Sequence, residues 1–90
     1  MNVPLDVPQE LLDLLEALEH PLTPEDIAGG WDGSGVSLAK RIAAGAVDDL
    51  RSGNIPDASY HFVRWLDHHG VIGGPLLGIV SRAQMALPAA

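Results

Sequence analysis

The stretch PQELLDLLEALEHPLTPED (residues 8–26) decides the fold. Leu11, Leu14, Leu15, Leu18 and Leu22 recur at helical spacing, and Glu10, Asp13, Glu16 and Glu19 fall on the other side. That is a helix with one apolar face. Asp6 followed by Gln9 reads as a capping box, with Pro8 suited to the first turn. Pro21 ends the helix near His20, because a residue before proline is pushed out of the α region. Thr23-Pro24-Glu25-Asp26 is a second start: a capping hydroxyl, a first-turn proline, and two acids at the positive end of the helix dipole. Gly29-Gly30 stops this second helix early.

The same pattern continues outward. Gly30–Gly35 is rich enough in glycine to predict a loop. A third helix is expected over 36–51, with Leu38, Ile42, Ala46, Val47 and Leu50 inward and Gly53 as its stop. Asn54-Ile55-Pro56-Asp57 begins a fourth, with Phe62, Val63 and Leu66 inward and Gly70 at its end. Gly74-Pro75 opens a fifth, with Leu76, Ile79, Val80, Ala83 and Leu87 on one side. No alternating strand pattern and no internal repeat occurs, so the chain is expected to be all-α, a single domain over residues 1–90 built as a bundle of four to five short helices. Gly45 inside the third helix costs about 1 kcal/mol relative to alanine, which predicts close packing of a neighbouring helix there. Leu77 and Met85 make the fifth helix apolar on more than one face, so it is expected either at the centre of the bundle or in a homodimer interface through residues 75–87.

Composition narrows the function. The sequence has 90 residues, a net charge of -7 and no cysteine, so disulfides and thiolate metal sites are excluded. The charge is lopsided. Asp6, Glu10, Asp13, Glu16, Glu19, Glu25, Asp26 and Asp32 stand in residues 1–32 with no Lys or Arg. Lys40, Arg41, Arg51, Arg64 and Arg82 all lie beyond, against Asp48, Asp49, Asp57 and Asp67. Such a field steers a basic partner toward one face. It also disfavours nucleic acid, whose binding depends on neutralising phosphates. The apolar run 71–80 is too short to span a bilayer, so no membrane association is expected and a cytoplasmic location is the default.

No motif predicts catalysis, a cofactor or a metal. His61 and His68 share a helix face but stand about 10 Å apart along the axis, and the adjacent His68 and His69 diverge. His68 and His69 are better suited to complementing the negative end of their helix. Residues 30–37 approach a phosphate-loop spacing, yet Val36 stands at the lysine position and no strand precedes it. Ser37 and Lys40 have the Ser-x-x-Lys spacing of penicillin-binding enzymes without the companion motifs.

Two resemblances add expectations. Trp31-Asp32-Gly33 resembles the Trp-x-Gly turn of the WXG family of small secreted helical hairpins, although here the upstream segment is broken by Pro21, Pro24 and Gly29-Gly30. Ser37-Leu38 and Ile55-Pro56-Asp57 are spaced similarly to motifs of acyl and peptidyl carrier proteins. That likeness implies a four-helix domain with Ser37 as the prosthetic-group serine, at the start of a helix. Val36 stands where the family carries aspartate.

The main expectation is a small acidic, non-enzymatic interaction module (an adaptor, inhibitor or immunity-type protein) that docks on a basic protein surface. Glu10, Asp13, Glu16, Glu19, Glu25 and Asp26 would supply steering and rim ion pairs, and Trp31 or Trp65 the anchor. The alternatives are a carrier-like domain and a homo-oligomeric structural subunit. A solvated face that only keeps the domain soluble is the plainest account of the acids.

Overall fold

The computed structural model describes residues 3–88, and among these it is all-helical: α1 (Gln9–Ala17), α2 (Pro24–Ala28), α3 (Gly33–Arg51), α4 (Ala58–His69) and α5 (Pro75–Ala86). α1 packs on α3 and α5, and α4 packs on the same two helices from the other side. The four long helices thus form a ring in which α1 and α4 are not neighbours. The short α2 rests on α5. Ahead of α1, the Leu5 amide donates to the Leu50 carbonyl at 2.8 Å, tying the N-terminal arm to the end of α3.

The expected helix starts are right in number and wrong in detail. The capping box at Asp6 does not form: Pro8 is the N-cap without a side-chain bond, and Gln9 Nε2 donates instead to Asp13 Oδ1 at 2.9 Å. At α2 the expected Thr23 cap forms, with Asp26 N donating to Thr23 Oγ1, and the Asp26 carboxylate makes it a capping box, which the sequence reading does not anticipate. The glycine-rich stretch is not all loop. The Asp32 carboxylate accepts from Gly35 N at 2.7 Å, so α3 begins at Gly33, and Ser37 lies beyond its first turn. Here a good cap outweighs the poor helix propensity of two glycines. Gly70, at φ +69°, closes α4 as its composition predicts.

The buried faces also depart from the expected ones. On α1, Leu11, Leu14 and Leu18 are interior while Leu15 is half-buried. On α3 the buried line is Ala39, Ala43, Ala46, Val47 and Leu50, and the larger Leu38 and Ile42 are only half-buried. Alanines let a neighbouring helix approach, so the small residues take the centre. Gly45 is exposed, with open space where a Cβ would stand, so the close packing expected at that position is not there. On α4, Ala58, Phe62 and Trp65 face inward, and Val63 is 59% exposed. α5 sits centrally through Leu76, Val80 and Ala83, against α1, α2 and α4, leaving Met85 87% exposed.

Candidate interaction surfaces

The acids of the first third separate into two populations. Asp13, Glu16, Glu19 and Glu25 are exposed, and Glu10 is half-buried. On α1, Leu12, Asp13 and Glu16 point away from the core leucines, with Leu12 37% exposed among the carboxylates. Glu19 pairs with Lys40 of α3 at 3.5 Å, an open surface pair worth little to stability.

Asp26 belongs to the second population, which corrects its expected place on the docking face. It is 3% exposed. Its Oδ2 accepts from the Thr23 hydroxyl at 2.9 Å and, more weakly, from Thr23 N at 3.4 Å. Its Oδ1 accepts from Leu76 N at 2.9 Å. One carboxylate therefore caps its own helix and, from fifty residues away in the chain, the N-terminus of α5. The approach depends on glycine. Gly74 has φ +96°, and a Cβ there would lie 2.8 Å from the Asp26 Cα. Beside it the Gly29 carbonyl accepts from Ile72 N at 2.8 Å, and a Cβ on Gly29 would strike the Gly73 carbonyl. No spacing rule in the sequence announces this junction, because it joins segments that meet only in the fold.

Both tryptophans are interior, which corrects their expected role as exposed anchors. Trp31 is 2% and Trp65 4% exposed, with ring centroids 5.1 Å apart and planes inclined by 55°. Their Nε1 groups are buried without a hydrogen-bond partner, at about 1–3 kcal/mol each. Packing must outweigh that loss. The aromatic pair is a core element joining the turn after α2 to α4.

A further surface runs along the α3/α4 seam. One hollow of about 460 Å³ is floored by Ile42, Gly45, Ala46 and Ala58, with Arg41, Asp49 and Asp57 beside it. A second, of about 260 Å³, lies between Leu38 and Ile42 on one side and Arg64, Trp65 and His68 on the other. Ile42 and His61 line both, so the two hollows are adjacent. Tyr60 accepts a hydrogen bond from Arg64 Nη1 at 3.0 Å.

Among the described residues, no set of three His, Cys, Asp or Glu side chains gathers as a metal site. None of the helices they form is long and apolar enough to cross a membrane. Ser37 is exposed on the flank of α3 and does not open that helix, so its setting departs from what the carrier resemblance implies. No family model matches the chain, and no curated protein or solved structure matches it either. Function is therefore argued from these surfaces alone.

Proposed function

We propose that this chain is a non-enzymatic protein-interaction module whose α1 face docks on a basic surface of a protein partner. The observation that carries the reading is the outward face of α1, where Leu12 sits among Asp13 and Glu16 with no Lys or Arg in the first 32 residues. The exposed Glu25 adds to the same negative field, while Glu19 is partly offset by Lys40. With both tryptophans in the core, Leu12 takes the part of the apolar contact and the carboxylates form its polar rim. Charges so placed raise the association rate and select the partner's sign, while the apolar contact slows dissociation.

The test is differential capture. Wild-type protein and the double variant Asp13→Lys with Glu16→Lys are immobilised and exposed to lysate of the source cells at low and high salt. These residues are exposed, so both proteins should melt alike. A protein held by the wild type at low salt, released at high salt and lost on the variant supports the reading. An identical set on both baits overturns it.

A further inference from the structure

The smaller hollow of the α3/α4 seam, about 260 Å³, has two unlike walls. Leu38 and Ile42 stand four residues apart and form an aliphatic stripe on α3. His61, Arg64 and His68 form a basic stripe on α4, with the almost wholly buried Trp65 between them as the floor.

No carboxylate lines this hollow. Asp49 and Asp57 belong to the larger hollow beside it, together with Arg41. The acids of α1 stand across α3: Lys40, two residues from both Leu38 and Ile42, points to the other side of that helix and meets Glu19 there. Arg64 is exposed and donates from Nη1 to the Tyr60 hydroxyl, and no carboxylate among the described residues pairs with it.

We propose that this trough binds a small organic monocarboxylate with an apolar tail of about eight carbons. The site lies on a different face from that of α1 and stands independently of the docking function above. Length agrees first. From His61 to His68 the α4 wall rises about 10 Å, close to the extended length of such a chain. Volume agrees next, falling just under the range of about 300–1,000 Å³ that holds drug-sized molecules. An incoming helix, about 10–12 Å across with its side chains, is too bulky for it.

Chemistry then selects the head group. The tail lies on Leu38 and Ile42, which takes aliphatic surface out of water on both sides. The carboxylate accepts from the planar Arg64 guanidinium, whose paired donors match its two oxygens. His61 and His68 stand at either end as further donors. A neutral head group forfeits the charge-assisted bonds, and a cationic one meets Arg64 with like charge.

Octanoate tests this on the full chain, with octanol and octylammonium as neutral and cationic probes of equal length. Each is titrated into isotope-labelled protein while the amide and indole NMR signals are followed. Octanoate should give saturable shifts confined to residues 38–42 and 61–68 and the Trp65 indole. Its Kd should be on the order of 1 mM, because the trough is small and open. The other two probes should bind about tenfold more weakly. Arg64→Gln, an exposed change that leaves the fold intact by circular dichroism, should weaken octanoate by about tenfold. Leu38→Glu, which sets a carboxylate in the aliphatic wall, should abolish the shifts. Octanol binding as well as octanoate overturns the proposal, as does Arg64→Gln without effect. Shifts centred on Tyr60, Val63 and Leu87 instead, or none with any probe, overturn it too. A blocked acidic peptide that shifts these residues where octanoate does not assigns the trough to a protein segment and likewise overturns it.

Discussion

Two junctions between helices are closed by different means. Where α2 and its turn meet the start of α5, backbone lies on backbone: Gly29 against Gly73, Gly74 against Asp26, with the Asp26 carboxylate holding Leu76 N. Where α3 meets α4, small side chains bring the helices near without filling the space beyond, and a hollow of about 460 Å³ remains at Gly45, Ala46 and Ala58. The difference is between a contact specified by hydrogen bonds, which admits one geometry, and a contact specified by smallness, which leaves room. A surface able to accept something else arises from the second kind.

The contrast can be broken by substitution. Trp31→Ala at the closed junction removes a buried ring and should cost about 3–5 kcal/mol in urea unfolding, a large share of the stability of a small domain. A loss below about 1 kcal/mol would make that region loose and erase the distinction. Asp26→Ala should follow at about 2–4 kcal/mol, since it strips the caps of two helices and leaves the Leu76 amide buried without its acceptor. Glu25→Ala next to it, on an exposed side chain, should stay within about 0.5 kcal/mol. Equal effects from these adjacent acids would refute the assignment of one to the interior and one to the field.

Smaller effects sharpen the comparison. Asp32→Ala should cost about 1 kcal/mol by removing the Gly35 cap, with helix content by circular dichroism falling at the α3 start. Gly45→Ala, in the open seam, should raise stability by about 0.5–1 kcal/mol, because a Cβ meets nothing there and the helix gains propensity. A destabilised Gly45→Ala would mean that the seam is closed in solution.

What was legible in the sequence follows from range. The Thr23 cap of α2, the Pro75 start and the Gly70 stop are signals within a few residues, and each stands where its local chemistry puts it. The α3 start lies earlier than glycine content predicts, because one carboxylate, Asp32, reaches Gly35 and decides it. On α3 and α4, Ala46, Val47, Leu50 and Phe62 are buried as their spacing predicts, while side-chain size misleads elsewhere. Leu38, Ile42 and Val63 look like core, but Ala39, Ala43 and Trp65 fill it because helix approach favours alanine and the indole fills what remains. The dual role of Asp26 left no local trace. Its second partner is chosen by the fold, and an acid among eight acids looks like one more member of a charged face.

The Asp26–Leu76 bond has a consequence for the order in which the chain takes shape. α2 has five residues, too few to persist alone in water, and α1 also leans on α5 for its apolar face. A chain that leaves the ribosome from its N-terminus therefore exposes its most acidic third first and settles it last, when residues 75–86 have emerged. Until then the leucines of α1 lack their main cover, and the neighbouring carboxylates oppose contact between two such chains by like-charge repulsion.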